Sequence, residues 1–467
     1  MKSMKKTMLK QAVLLLLAIL MLTTTSCNQR VQERPNEYNL DKTTEVVTSK
    51  TFQRSSSEAI KIVQDFVKES GLRSSLVATD AIVDYVLNTG SLRTTLGEQG
   101  VEAVDTVLYI VNIQGEKGFS VIAGDKRLPD ILITSSSGNL FKNEEIDDNS
   151  GFAVFLSRLP SFYVSELERF EKDPNRRRED FEHEKEFEPD APAPNVPERK
   201  IEYSEWKTVN SIGPLVPVQW EQSLPFNNEA PLIDGQRALA GCVSIAAAQL
   251  TAYHNYPSYY NGISLDWNLL TRYPSYWQYQ GTDRSKFEEQ VSKYLREIGN
   301  TLQNSWGVSA TGAWTKDIVL MLKSMGYSNP SSLTDYEEGA LINSLAHLRP
   351  AIMEGYSEKY TYKKGWWIFK KTHTGYREGH AWLVDGYITQ ERTRKVINRE
   401  TNETISENRE TRLLVHCNWG WGGYRDGYFY PGVFESYNSV NLRSTGVNES
   451  TPGYFKYMIK NIVNVYK

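Results

Sequence analysis

Residues 241–257 read GCVSIAAAQLTAYHNYP, and the rest of the chain is best interpreted outward from them. From Cys242 to His254 the stretch contains neither Gly nor Pro, whereas Gly241 precedes it and Pro257 follows it. The pattern predicts a helix with Cys242 in its first turn. Because the N–H groups of a first turn are unpaired and the helix dipole favours an anion, a thiolate is stabilised there. Such a cysteine has a pKa below about 8.5 and becomes a nucleophile once a histidine lies near it.

The six histidines differ in whether they can reach Cys242. His254 is on the same predicted helix, about 18 Å away at 1.5 Å per residue. His183 lies in a highly charged segment, and His347 is in the last turn of a predicted helix, where a surface or capping role suffices. Three candidates remain: His373, His380 and His416. An isolated cysteine is more often structural, so a catalytic role for Cys242 depends on this partner.

We favour His380 as the partner of Cys242. It follows Gly379 and opens a predicted strand of sequence HAWLVDGYI. A strand is a rigid mount for a catalytic side chain, whereas His373 lies in a predicted loop.

A neighbouring predicted strand ends in HCNWGWGG, residues 416–423. A Cys–His pair needs a third group to hold the imidazole, and the amide oxygen of Asn418 is suited to this. His416 shares a strand face with Asn418 and remains a competitor, although a structural sheet histidine is the more common case. Cys417 points to the opposite face and is predicted to be buried.

Acyl transfer also needs hydrogen-bond donors for the developing oxyanion. The backbone N–H of Cys242 supplies one donor. The side-chain amide of Gln222 is our candidate for the second, although a glutamine is more often a surface residue.

Residues 1–26 are predicted to be a signal peptide. Lysines precede an apolar run at 13–22, which is shorter than the roughly 20 residues that a membrane-spanning helix needs. The signal ends at Cys27, where a relaxed lipoprotein box predicts lipidation, with plain secretion as the alternative. Residues 27–51 are then a polar tether. We therefore expect export from a bacterial cell, either as an outer-membrane lipoprotein or as a protein secreted after processing.

Three segments follow the tether. Residues 52–170 predict a small α+β domain, with an amphipathic helix, a β-hairpin and an apolar segment that Pro160 breaks or kinks. Residues 171–202 are dense in charge and proline and predict an exposed, protease-sensitive linker. Residues 203–467 place helices before strands, which indicates a second α+β domain with an antiparallel sheet.

Composition excludes several classes of function. The 467 residues carry 53 basic and 57 acidic side chains, a net charge of -4. The chain therefore has no excess of positive charge with which to neutralise the phosphates of a nucleic acid. Three cysteines do not build a disulfide framework. There is no H-E-x-x-H or Cys-x-x-Cys motif and no phosphate-binding glycine loop, so we expect neither metal nor cofactor.

Ordered motifs in both domains resemble the streptopain family of papain-like cysteine peptidases. In the second domain they are GCV at 241–243, YHNYP at 253–257, GHA at 379–381, DG at 385–386, NWGWGG at 418–423 and DG at 426–427. In the first domain GF at 118–119, GDKR at 124–127 and IL at 131–132 resemble the family's inhibitory propeptide.

The resemblance implies a zymogen whose propeptide inhibits its own peptidase domain and whose substrates are proteins or peptides. It implies Cys242 as nucleophile, His380 as general base and acid, and Gln222 in the oxyanion hole. Either Asn418 or Trp419 would orient the imidazole.

The resemblance also implies a substrate cleft lined by Gly379, Ser309 and Trp421. Two insertions, 363–376 before the histidine and 390–410 after it, distinguish this chain from the family pattern.

Two other functions compete with an endopeptidase. One is a Cys–His amidase or acyltransferase on cell-wall peptides, since this chemistry recurs on unrelated folds. The other is a non-catalytic surface lipoprotein that binds glycan or protein through its aromatic residues.

Overall fold

The computed structural model describes residues 52–71, 81–88, 104–113, 117–140, 150–172, 199–328, 330–364, 371–435 and 459–467. The predicted signal peptide, the tether with Cys27, and residues 173–198 of the predicted linker lie outside these ranges. Among the described residues, no helix is both long and apolar enough to span a membrane.

The N-terminal part combines helices with an antiparallel sheet, as predicted. Its described elements are α1 (Ser56–Ser70), β1 (Ala81–Asn88), β2 (Thr106–Ile113), β3 (Phe119–Ala123), β4 (Ile131–Ser135) and α2 (Gly151–Lys172). A capping box of Ser55 and Glu58 starts α1, because each side chain accepts a hydrogen bond from the other's backbone N–H. The predicted hairpin is confirmed as the antiparallel pair β2–β3.

Helix α2 runs through Pro160, which we expected to break or kink it. A proline inside a helix costs roughly 3 kcal/mol. Both halves of α2 bury large apolar side chains, including Phe155 before the proline and Leu167 after it, and this burial offsets the cost.

The C-terminal part places helices before the main sheet, which confirms the predicted α+β class. Its helices are α3 (Cys242–His254), α4 (Trp267–Leu270), α5 (Gly281–Thr301), α6 (Asp317–Ser324) and α7 (Glu338–Ala346). Its strands are β5 (Arg199–Tyr203), β6 (Lys207–Ile212), β7 (Leu232–Ile233), β8 (Gln236–Arg237), β9 (Tyr259–Tyr260), β10 (Ile263–Ser264), β11 (Thr334–Asp335), β12 (Ala351–Lys364), β13 (Lys371–Asn398), β14 (Thr404–Asn418), β15 (Gly427–Phe429) and β16 (Lys460–Ile462).

The described residues of both predicted insertions belong mainly to extensions of strands. Strands β12 and β13 remain paired out to Lys364 and Lys371, so His373 belongs to a strand and our loop assignment was wrong. Strands β13 and β14 remain paired out to Ile397 and Thr404. The polar composition of 390–410 led us to interpret it as an insertion that joins two strands. A two-stranded ribbon has the same composition, because its faces bury few apolar side chains.

The ends of the predicted linker are also regular structure. Helix α2 continues to Lys172, and β5 begins at Arg199 and pairs with Arg394–Asn398 of β13. Between β5 and β6 the Trp206 ring packs under the guanidinium groups of Arg392 and Arg412, at 4.5 and 4.2 Å from the ring centroid. Pairing and stacking therefore hold this end of the linker on the ribbon.

One sheet runs through both parts of the chain. Its order is β1-β2-β3-β4-β15-β14-β13-β12-β16-β11, and β5 and β6 also pair with β13. The junction is the antiparallel pair of β4 and β15, in which Ser135 lies opposite Gly427. Asp130 of the N-terminal part also forms an ion pair with Arg412 of β14.

Two apolar cores cover the two faces of the sheet in the C-terminal part. Alternate strand residues face opposite sides, so Ala381 packs with α3, α5 and α6, whereas Trp382 packs with α2. Phe155 of α2 lies 5.0 Å from the ring of Phe429 and 5.3 Å from that of Phe434. Helix α2 is thereby held against β15 and the segment that follows it.

Candidate active site

Cys242 is the first residue of α3, as predicted, and is partly exposed at the end of an otherwise buried helix. The preceding Gly241 has φ 92°, a conformation that favours glycine. A Cβ there would also lie 3.0 Å from Cγ2 of Thr311. The Thr311 hydroxyl donates to the carbonyl of Leu239 at 2.7 Å, so a neighbouring loop fixes the backbone that presents the thiol.

His380 lies on β13 and is 2% exposed. Its Nε2 is 2.8 Å from the carbonyl oxygen of Trp419. The imidazole lies between the Trp382 ring, nearly parallel at 6.4 Å, and the Trp421 ring at 6.3 Å. Because a carbonyl only accepts, Nε2 carries a proton, and Nδ1 is the nitrogen that exchanges a proton with a nucleophile.

The structure places the Cys242 thiol close enough to the His380 imidazole for the imidazole to influence the pKa of the thiol. Burial is the largest influence on the thiol and raises its pKa. The charge and hydrogen bond of His380, together with the backbone N–H groups of Ala381 and Val243, outweigh it, so that the pKa of Cys242 is lowered. The result is a thiol poised to ionise beside an imidazole that takes up its proton.

Asn418 and Trp419 follow each other at the end of β14 and have different partners. The backbone carbonyl of Trp419 meets the imidazole, and its indole N–H donates to the carbonyl of Arg425 at 3.0 Å. The Asn418 amide has a different partner: its Nδ2 donates to the carbonyl of Val218 at 3.0 Å. Of the two alternatives, Trp419 is the one bonded to the ring.

The remaining predicted site residues lie on segments next to Cys242 or His380. Gln222 is buried, and its backbone carbonyl accepts from the N–H of Ala240 at 2.9 Å, which ties it to the segment that leads into α3. Ser309 is exposed in the loop that packs on Gly241. Gly379 is exposed beside His380, where a Cβ would lie 2.6 Å from the ring of Tyr356.

The other histidines have different surroundings. His416 Nδ1 is 2.6 Å from Oδ1 of Asp385. His254 lies against the Tyr327 ring, and burial lowers its pKa to about 4. His347 is exposed and bonds the carbonyl of Asn343 within its own helix at 2.8 Å. The side chain of His373 and all of His183 lie outside the described residues.

Cys417 is fully buried, and burial raises the pKa of its thiol well above the usual value. It therefore behaves as the small apolar residue that its strand position predicts. Within the ranges that the structure covers, no group of three or more His, Cys, Asp or Glu side chains is arranged to bind a metal ion.

Asp426 is a site residue to which the sequence analysis assigned no role. Its Oδ1 accepts the backbone N–H of Trp419 at 2.9 Å, so it holds the residue whose carbonyl contacts His380. Burial and the nearby Asp385 raise the pKa of Asp426 to about 7, and His416 and the Trp419 N–H only partly offset this. The DG pair at 426–427 was visible in the sequence, but which backbone group the carboxyl would meet was not.

The N-terminal part reaches this site at two points. A Cβ on Gly151, the first residue of α2, would lie 2.3 Å from Cε3 of Trp419 and 2.9 Å from Cδ2 of His380. The Ser135 hydroxyl of β4 donates to the backbone carbonyl of Asp426 at 2.8 Å. Only a glycine fits at the tip of α2, because the catalytic histidine candidate and its supporting residue lie directly against it.

Comparisons with known proteins match both parts of the chain. Residues 220–429 match the sequence model of the Peptidase C10 family, and residues 45–160 match that of the Spi protease inhibitor. Streptopain from Streptococcus pyogenes is 23% identical over 417 residues, which cover 82% of this chain and 86% of streptopain. The thiol protease/hemagglutinin PrtT from Porphyromonas gingivalis is 23% identical over 398 residues, covering 79% of this chain and 38% of PrtT.

Two solved structures from Prevotella intermedia are also similar. A prointerpain A fragment is 17% identical with a TM-score of 0.47, covering 78% of this chain and 96% of the fragment. Active interpain A cysteine protease is 18% identical with a TM-score of 0.34, covering 55% of this chain and 95% of that one.

The raised pKa of Asp426 predicts a pH-dependent stability. An unfolded aspartate ionises near pH 3.9, so between about pH 4 and pH 7 the folded chain holds a proton that the unfolded chain releases. The free energy of unfolding then falls as pH rises through this window, by up to about 1.4 kcal/mol per pH unit. Asp426→Asn removes this contribution and keeps an oxygen for the Trp419 N–H. Urea unfolding between about pH 5 and pH 8, in a Cys242→Ala background, should therefore show a flatter pH dependence for Asp426→Asn.

Asp335→Asn is the matched control, because the Asp335 side chain is 85% exposed. It should leave the pH dependence unchanged. An equal flattening in both variants, or none in Asp426→Asn, would contradict the assignment.

Proposed function

Because the chain belongs to the Peptidase C10 family of cysteine peptidases, and its N-terminal part is an inhibitory propeptide, we propose that it is an exported endopeptidase in which Cys242 and His380 carry the chemistry. One observation carries this proposal. The thiol at the start of α3 lies beside the His380 imidazole, which lowers the pKa of the thiol and whose Nε2 is bonded to the Trp419 carbonyl. This arrangement favours a thiolate–imidazolium pair without a third charged side chain.

In the proposed reaction the Cys242 thiolate attacks the scissile carbonyl carbon, and the carbonyl electrons move to the oxygen. The Cys242 N–H and the Gln222 amide stabilise that oxyanion. When the C–N bond breaks, Nδ1 of the His380 imidazolium gives its proton to the leaving amine. The neutral imidazole then takes a proton from water as the water oxygen attacks the thioester carbon. The C–S bond breaks, which releases the acid and restores the thiolate–imidazolium pair.

We propose that Gly379, Ser309 and Trp421 line the cleft for the polypeptide substrate. Gly379 is exposed on β13 beside His380, and Ser309 is exposed in the loop packed against Gly241. Trp421 is partly exposed and packs on the imidazole. Exposed positions next to Gly241 and His380 support a cleft that is open to an extended polypeptide.

Inhibition by the propeptide is proposed to act through α2. Gly151 lies directly against Trp419 and against Cδ2 of His380, the ring edge away from Nδ1, so that α2 acts on the position of the imidazole and of the residue that supports it. Arg158 of the same helix donates to the carbonyl of Val433 at 2.8 Å, and the aromatic contacts of Phe155 add to this docking. Activation then requires the release of α2 from the peptidase.

We propose export by the signal at 1–26, lipidation at Cys27 and tethering by 27–51. Support comes from the sequence pattern and from the bacterial proteases to which the chain is similar. The proposed order along the chain is then propeptide at 52–170, cleavable linker at 171–202 and peptidase at 203–467.

Removal of either member of the pair should abolish peptide hydrolysis. We expect Cys242→Ala and His380→Ala to lower the rate of casein cleavage by more than about a thousandfold, because nucleophile and base act as a unit. A thiol alkylator should inactivate the wild type, and a metal chelator should not. His347→Ala is the matched control and should retain full activity, since His347 is exposed on α7. Cleavage that survives in Cys242→Ala would sink the proposal.

Cleavage in the linker should activate the enzyme. Purified Cys242→Ala should stay full length, and active enzyme added in trans should convert it to a shorter form. Because α2 extends to Lys172 and β5 begins at Arg199, we expect the new N-terminus to fall within 173–198. Mass spectrometry of the product locates the cut. A wild-type chain that is fully active at full length would refute the zymogen step.

Lipidation is tested in the Cys242→Ala background, in which self-cleavage does not release the peptidase. Bacteria that express this protein should incorporate labelled palmitate into it and retain it in the membrane fraction. The additional change Cys27→Ser should abolish both. Equal labelling with and without Cys27 would contradict the proposed anchor, and secretion without a lipid would replace it.

A further inference from the structure

A buried glutamine connects the helix of the proposed nucleophile to the turn beside His380. Gln249 is fully buried in α3, a helix whose interior is otherwise mostly alanine and larger aliphatic residues. Burying a side-chain amide is unfavourable unless its groups are hydrogen-bonded. Both ends of this amide are satisfied: Oε1 accepts the N–H of Trp220 at 2.8 Å, and Nε2 donates to Oδ1 of Asn418 at 3.1 Å.

The Asn418 amide transmits this contact to the backbone. Its Oδ1 accepts not only from Gln249 but also from the N–H of Gly420, at 3.1 Å. Its Nδ2 donates to the carbonyl of Val218 at 3.0 Å, which fixes the orientation of the amide. Asn418 is 3% exposed, so water does not compete for these groups.

The N–H of Gly420 and the carbonyl of Trp419 belong to one planar peptide group. In a trans peptide these two bonds point in opposite directions. A peptide whose N–H is directed at Asn418 therefore directs its carbonyl away from Asn418. On that side Nε2 of His380 lies 2.8 Å from the Trp419 oxygen. The contacts thus run without a break from α3, which begins at Cys242, to the ring that serves Cys242.

We propose that Gln249 is a positioning residue for the peptidase reaction, acting through Asn418 and the Trp419–Gly420 peptide on the orientation and basicity of His380. The inference rests on the proposed roles of Cys242 and His380. Without the Gln249 amide, Asn418 keeps its bond to Val218 but loses a donor to its oxygen, so that it holds the Trp419–Gly420 peptide less firmly. The imidazolium then loses a well-directed acceptor at Nε2, so that the thiolate it stabilises is less populated.

Gln249→Leu and Gln390→Leu form a matched pair for the test. Both glutamines are fully buried and hydrogen-bonded, but Gln390 bonds Thr208 and Arg412 at the base of the β13–β14 ribbon. Each full-length variant is activated with trypsin, which is then blocked with a serine-protease inhibitor. The readouts are kcat and KM for a peptide substrate, and the pH dependence of Cys242 alkylation by iodoacetamide.

We expect Gln249→Leu to lower kcat by about tenfold, the equivalent of one hydrogen bond, while KM changes by less than about twofold, because Gln249 contacts no substrate. The midpoint of the alkylation profile should move up by about one pH unit. Gln390→Leu should change none of these values. A folded Gln249→Leu with the kcat and alkylation profile of Gln390→Leu overturns the proposal.

Gln249→Glu covers the case in which the leucine variant does not fold. A protonated glutamic acid donates to Asn418 as the amide does, whereas the ionised form does not. The ratio of the variant's kcat to that of the wild type should therefore fall as pH rises, and a ratio that is flat with pH overturns the proposal. Alkylation needs no substrate, so a protein that shows these alkylation shifts but cleaves no peptide would refute the proposed endopeptidase and leave the positioning role intact.

Discussion

The hydrogen bond between His380 and the carbonyl of Trp419 is the contact on which the whole site depends. A backbone carbonyl has no rotamer of its own. The orientation of the His380 ring therefore depends on the conformation of the turn that contains the Trp419 carbonyl. That turn is held by the Asp426 carboxyl on the Trp419 N–H and by Asn418 on the next peptide. It also contains Gly420, Gly422 and Gly423 at φ of 73°, 65° and 84°, a conformation that side chains rarely tolerate. The glycine-rich sequence is thus a requirement of histidine geometry.

The same turn is where the inhibitory propeptide docks. Gly151 packs against Trp419 and His380, and Ser135 bonds the backbone of Asp426. The proposed support of His380 and the proposed inhibition therefore involve the same turn. Because β4 pairs with β15 directly after this turn, the propeptide is part of the sheet that carries the histidine.

Much of this was accessible from the sequence, because it depended on local patterns. The helix at Cys242 follows from its lack of Gly and Pro, and a strand at His380 follows from its apolar run. The Trp419 contact was harder to specify, since a side-chain amide and a backbone carbonyl both accept hydrogen bonds and only the geometry of the turn distinguishes them. The polar ribbon at 390–410 was misjudged because a two-stranded extension buries too little apolar surface to produce a strand pattern. The pairing of β4 with β15 joins segments nearly 300 residues apart, and no local pattern encodes it.

Joining the two parts through one sheet has a consequence for the peptidase after the propeptide departs. Removal of β4 leaves the N–H and C=O groups on the outer edge of β15 without their strand partner. An open edge invites another extended chain to add to it, whether from a neighbouring copy or from a bound polypeptide. Only Gly427–Phe429 form this edge, so its short length limits how strongly it can recruit a strand. Removal of the propeptide thus leaves the sheet with a short unpaired edge, next to the turn at 419–426 whose Trp419 carbonyl contacts His380.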